Sequence, residues 1–223
     1  MKCLILTALA GAMGLTLASP SFAADIPRKA IPFSAPTVAA FSWSGFYVGV
    51  NAGYGWGKAD LSNAIGSASV STKGGLFGVT FGYNLQTGVW VWGFEGDLDM
   101  STVKGTDSSL VICALGCEVK QTWLGTMRGR IGYAFDRWLP YFTGGLAFGD
   151  VKTSIGTGSV AKTQTGWTLG VGTEYAWSGP WSVKFEYLYV DLGSSTCDAT
   201  TCLLATTTKW KENILRAGLN YRF

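Results

Sequence analysis

From Leu215 to Phe223 the chain alternates without exception. Leu215, Ala217, Leu219, Tyr221 and Phe223 share one strand face, and Arg216, Gly218, Asn220 and Arg222 share the other. A period of two belongs to an extended strand, whose successive side chains point to opposite sides. One face is apolar and ends on an aromatic residue, while the other carries two arginines. An apolar outside, a polar inside and a terminal aromatic fit the closing strand of a barrel that meets lipid. That reading demands an export signal, an even number of strands and an interior that balances its own charge.

The amino-terminal residues fit the first demand. Lys2 precedes an apolar run over residues 4–17, Ser19-Pro20 ends it, and Ser21-Phe22-Ala23 has the form of a signal-peptidase site. Residues 1–23 are therefore expected to be a cleaved secretory signal, and Cys3 leaves with it. Residues 24–42 carry Pro27, Pro32 and Pro36 among small residues with no period, as an extended periplasmic tail would. Past the signal there is no apolar run of the ~18 residues that a membrane helix needs, so any insertion must use strands. A net charge of +3 is too small to argue for nucleic acid or an anionic surface.

Residues 43–223 read as an all-β domain, an eight-stranded antiparallel up-and-down transmembrane barrel. In the first strand Phe46, Val48, Val50, Tyr54 and Trp56 oppose Gly45, Tyr47, Gly49, Asn51 and Gly53. The second sets Phe77, Val79, Phe81, Tyr83 and Leu85 outside. The third sets Trp90, Trp92, Phe94, Leu98 and Met100 against Glu95, Asp97 and Asp99. The fourth is read with Val119, Trp123, Met127, Ile131 and Tyr133 outside, and Lys120, Thr122, Thr126, Arg128 and Arg130 inside. The fifth puts Phe142, Leu146 and Phe148 toward lipid. The sixth opposes Trp167, Leu169 and Val171 to Thr168, Gly170 and Glu174, and the seventh opposes Trp181, Phe185 and Tyr187 to Ser182, Lys184 and Glu186.

Short and long connections alternate. Tight turns fall at residues 86–88, 135–138 and 178–180, and long Ser/Thr/Gly-rich links at 58–72, 101–118, 151–162 and 193–208. Long links at one end, with both termini at the other, are what an outer-membrane barrel requires. A soluble lipocalin-like barrel would be apolar inside, whereas this interior reads as polar. Trp90, Trp92, Trp138, Trp177 and Trp181 sit near the tight turns and suit an interfacial girdle.

Six acids are placed in the lumen, Glu95, Asp97, Asp99, Glu174, Glu186 and Glu212, with six bases, Lys120, Arg128, Arg130, Lys184, Arg216 and Arg222. Equal numbers point to internal neutralisation, because an unpaired charge in a narrow interior is costly. Glu174–Lys184, Glu95–Arg128 and Glu186–Arg216 are expected partners. The functional alternative is a catalytic carboxylate pair or an ion path. Cys113, Cys117, Cys197 and Cys202 fall in two long links as candidate disulfides. Local rings would each stabilise a loop by ~2 kcal/mol, and cross-pairing would instead make a lid. The chain contains no histidine, which removes the usual base for a serine nucleophile and the usual haem ligand. No metal or other cofactor is expected.

Six segments carry a family resemblance: FSWSGFYVG (41–49), GFEGDL (93–98), RGRIGYAFDR (128–137), LPYFTGGLA (139–147), GWTLG (166–170) and FEYLYVDLG (185–193). They resemble the outer-membrane β-barrel domain of alphaproteobacterial surface proteins, the RopB-type family of major outer-membrane proteins. The resemblance implies residence in the Gram-negative outer membrane, among its lipid and lipopolysaccharide. It also implies insertion by the barrel-assembly machinery, with Tyr221 and Phe223 in the recognised terminal strand. The expected role is non-enzymatic: structural support of the outer membrane and display of surface loops, with the surface partner left open. The alternatives are a small low-conductance porin and a loop-based receptor for haem or another ligand.

Overall fold

β-Branched and aromatic residues in strict alternation give nine strands in the computed structural model, which describes residues 41–62, 64, 66–107, 117–155, 158–197 and 206–223. They are β1 (Gly45–Ser62), β2 (Ser67–Thr87), β3 (Trp90–Ser101), β4 (Lys104–Asp107), β5 (Cys117–Tyr133), β6 (Trp138–Ile155), β7 (Gly158–Ser178), β8 (Trp181–Cys197) and β9 (Thr206–Arg222). Every pairing is antiparallel, and β1 pairs with both β2 and β9, so the sheet closes on itself. Closure leaves no free edge, the condition a sheet must meet in lipid.

Nine segments make eight staves. β4 continues β3 and pairs with the same two neighbours, β2 and β5. The ladder is interrupted at Thr102, whose hydroxyl accepts from the Gly75 amide and donates to the Gly75 carbonyl, each at 3.0 Å. The hydroxyl thus adds to the bond that the Thr102 amide donates to the Gly75 carbonyl at 2.9 Å, a detail that alternation in the sequence does not reveal.

The short turns fall where expected. Gly88, Asp136 and Gly179 adopt positive φ at 62°, 54° and 54°, the left-handed region that glycine and Asp tolerate in tight hairpins. The long links differ from expectation. β1 and β2 stay paired up to Ser62↔Ser67, and β6 and β7 up to Ile155↔Gly158. Most of the Ser/Thr-rich stretches are therefore strand: threonine is β-branched and suits a pleated surface that faces water. The expected signal peptide, all of the tail before Phe41, and Cys113 and Cys202 lie outside the described residues.

Outward-facing Phe46, Met100 and Phe142 are 67%, 73% and 69% exposed, and Trp, Phe, Leu and Val line the same face on every stave. A continuous apolar band of this size belongs in contact with lipid. Aromatic pairs flank it. Trp90–Tyr133, Trp181–Tyr221 and Tyr221–Phe223 lie near the tight turns, with Trp56–Tyr187 and Trp167–Tyr189 toward the other end.

One stave departs from the expected parity. β5 carries an extra residue between Gln121 and Leu124 relative to β6, and such a bulge reverses which residues face inward. Val119 is wholly buried in the interior, while Lys120 and Thr122 are exposed outside. Lys120 is thus not a lumen charge.

Candidate functional site

The interior has three layers. Near the tight turns Trp43, Val91, Ala134, Leu139, Tyr141 and Ala176 cluster, with Phe41 packed against them. Trp43 is tied in place by its amide, which donates to Gln86 Oε1 at 2.7 Å, and its indole, which donates to the Asp136 carbonyl at 3.0 Å. At the opposite end Ala59, Leu61, Val70, Val103, Val119, Val151, Leu192 and Trp210 belong to a larger apolar cluster. The expectation of a polar interior throughout is therefore corrected. Above and below the charges the strands turn apolar residues inward, and these cluster at both ends of the barrel.

Between the apolar layers lies an ion-paired network. Arg128, with 0% exposure, contacts Glu95, Asp97 at 2.6 Å and Glu186 at 2.9 Å. Arg216 reaches Glu186 at 2.6 Å, Asp97 at 3.0 Å and Asp99 at 3.1 Å. Arg130 holds Glu174 at 2.9 Å and lies over the rings of Tyr47 and Tyr141. Lys184 Nζ donates to Glu95 at 3.0 Å. Neutral donors complete the carboxylates: Tyr47 to Glu95 (2.8 Å), Thr80 and Thr126 to Asp97 (2.7 and 2.8 Å), Tyr141 to Glu186 (3.1 Å), and Asn220 to Glu174 (2.9 Å). Charges taken from water survive only when paired and hydrogen-bonded in this way.

Strand register puts Glu95 opposite Arg128, Glu186 opposite Arg216 and Glu174 opposite Lys184. The first two neighbours are also ion pairs. The third is not: Lys184 crosses the lumen to Glu95, and Glu174 is taken by Arg130 and Ser182. Across-barrel reach outweighs hairpin adjacency because the interior is narrow enough for side chains to span it. Two further residues stand apart. Arg222 is half-buried and stacks over Phe41 at 4.2 Å. Glu212 is buried beneath Trp210, whose indole donates to it at 3.3 Å, and has no cationic partner among the described residues.

Tyr47 and Tyr141 were not singled out as site residues. Each faces a glycine across the ladder, Gly82 and Gly172, and a Cβ there would overlap the ring. The glycines leave room for the rings, which carry hydroxyls into the network.

Such a network binds its own groups. Its carboxylates are engaged by fixed cations and neutral donors, with Asp99 Oδ1 left without a hydrogen-bond partner. Among the described residues no group of three or more His, Cys, Asp or Glu is placed to hold a metal. Of the cysteines, Cys117 and Cys197 are described only as strand ends, opposite Ile155 and Thr206.

Comparison with known proteins agrees with this architecture. A 31 kDa outer-membrane immunogenic protein of Brucella melitensis is 40% identical, with all of both chains covered. A 22 kDa outer membrane protein of Rhizobium leguminosarum bv. viciae is 35% identical over 85% of this chain and 82% of its own. The crystal structure of OprG from Pseudomonas aeruginosa shares the fold at a TM-score of 0.50 and 13% identity, over 81% of this chain and 96% of that one. Residues 30–223 match the model of the outer membrane protein beta-barrel domain. The chain is a β-barrel of the Gram-negative outer membrane and belongs to the outer membrane protein beta-barrel domain family.

Proposed function

We propose that the protein is a sealed, non-enzymatic barrel that supports the outer membrane and holds its extended hairpins out as display surfaces. The observation that carries this reading is the layered interior, in which apolar clusters flank a buried ion-pair network at both ends. Eight staves enclose a space that side chains can just fill. The names of the Brucella relatives, outer-membrane immunogenic proteins, support surface display. Strand extensions past the aromatic pairs supply rigid stalks for it.

Proteoliposomes loaded with dextran and diluted into isotonic small sugars or amino acids test the sealed state. No swelling beyond protein-free liposomes is the expected result. Protein-dependent swelling would replace this reading with the small porin.

A further inference from the structure

Register brings together four lysines that the sequence scatters over 80 residues. Lys73 on β2 stands opposite Lys104 on β4, Lys104 opposite Lys120 on β5, and Lys120 opposite Lys152 on β6. All four are exposed on the outer face. It is the β5 bulge that turns Lys120 outward into this row. Directly opposed residues stand about 5 Å apart, and like charges in that position repel. Among the described residues, none of the four ammonium groups lies within 4.0 Å of a carboxylate. Two acids share this face: Glu118, two residues beyond Lys120, and Asp150, two residues before Lys152, which accepts from Thr122 at 2.9 Å.

The row starts at the lipid boundary. Lys73 is opposite Trp56, which pairs with Tyr187 in the aromatic band. Two pairs further toward the tight turns the same staves carry Phe77, Met100 and Trp123 in one row. Between the apolar row and the lysines lie Gly75, Thr102 and Thr122. On the β2, β3–β4 and β5 staves the order is therefore apolar, small or hydroxylated, then cationic, the order of groups in a lipid with a phosphorylated head, while on β6 Asp150, which accepts from Thr122, stands between Phe148 and Lys152. The opposite side of the barrel differs. There Asp60 faces Lys209, and Lys211 faces Asp191 on one side and Lys58 on the other, so acids and lysines are mixed.

We propose that the outer face of β2, β4, β5 and β6 binds the phosphorylated sugar headgroup of an outer-leaflet glycolipid of the lipopolysaccharide class, through Lys73, Lys104, Lys120 and Lys152. With adjacent strands ~4.8 Å apart, the row extends over ~14 Å, a span that a disaccharide with a phosphate at either end covers. Anions between opposed lysines relieve the repulsion that the fold builds in. The acyl chains descend along Phe77, Met100 and Trp123. The small net charge of the chain hides this concentration, which exists only once the strands are paired. The proposal rests on the reading of an outer-membrane barrel whose longer connections point outward, and it is independent of whether the lumen conducts.

Native mass spectrometry of the refolded protein in a non-ionic detergent tests it, with bisphosphorylated lipid A, its dephosphorylated counterpart or inorganic pyrophosphate added. Lipid A is expected to bind at least about tenfold more tightly than the dephosphorylated form, and the K73Q/K104Q/K120Q/K152Q variant to lose at least about tenfold. The K58Q/K209Q/K211Q variant, altered on the mixed-sign side, is expected to stay within about twofold. The smaller K104Q/K120Q variant is expected to lie in between, and unheated gel mobility reports that each variant is folded. Equal binding by the quadruple variant would overturn the proposal. Equal loss in the control variant would reduce it to bulk charge, and pyrophosphate competing at the lipid's own concentration would make it an ion site rather than a lipid site. Liposome swelling, by contrast, would overturn the sealed lumen and leave this binding untouched.

Discussion

Arg128 shows how much one side chain carries. It meets carboxylates from β3 and β8 at once, Glu95, Asp97 and Glu186, and its Nε donates to Thr126 at 3.0 Å. Arg128→Ala would leave these acids short of a cation in a water-poor interior, and removal of one partner from a buried pair costs about 3–5 kcal/mol. The expected outcome is a lower denaturant midpoint in detergent by that amount; an unchanged midpoint would mean that water reaches the network freely. The Gly–Tyr pairs make a second residue-scale prediction. Gly172→Ala drives a methyl into the Tyr141 ring, and overpacking of this kind costs about 1–3 kcal/mol. Gly88→Ala is the contrast: nothing lies within 4 Å of a Cβ there, so its cost comes only from the positive φ of 62°. A Gly172→Ala barrel as stable as the parent would show that the ring has other room.

At the scale of elements, parity was legible and its interruptions were not. Alternation alone placed Glu95, Asp97 and Asp99 on one face of β3, and Phe77, Val79 and Phe81 on the outer face of β2. The three tight turns were equally readable, because Gly88, Asp136 and Gly179 are residues that suit positive φ. The bulge at Gln121–Leu124 left no such mark. Its extra residue lies in a run, QTWL, that reads equally well in either parity, and only the pairing with β6 decides it. The strand extensions were missed for a related reason: serine, threonine and glycine are as common in loops as in water-facing strands. A direct check is Lys120→Cys in whole cells, treated with a membrane-impermeant thiol reagent beside the unsubstituted protein. Added labelling is expected, since Lys120 is exposed on the outer face. Labelling no greater than that of the parent would return this residue to the lumen.

For the whole molecule, closure and filling are the two properties that matter. Closure follows from β1 pairing with β9 across Tyr47↔Arg222 to Ser62↔Thr207, so every stave is bonded on both sides. An unheated sample in a denaturing gel is expected to migrate apart from a boiled one; identical mobility would contradict a closed barrel. Filling is where sequence and structure diverge most. Apart from Lys120, the charges that face inward are readable from alternation, but their partners are set by reach across the lumen, as Lys184 to Glu95 shows. Part of the apolar end away from the tight turns, Ala59, Leu61, Val70, Val103 and Val151, lies in segments that read as loops, whereas Val91, Leu139, Tyr141 and Ala176 at the other end lie in segments that read as strands. Together these features make a barrel whose lumen is occupied by its own side chains. The most direct test is single-channel recording in planar bilayers. The account predicts no reproducible current steps from the unaltered protein. Steady openings of the unaltered protein would contradict it.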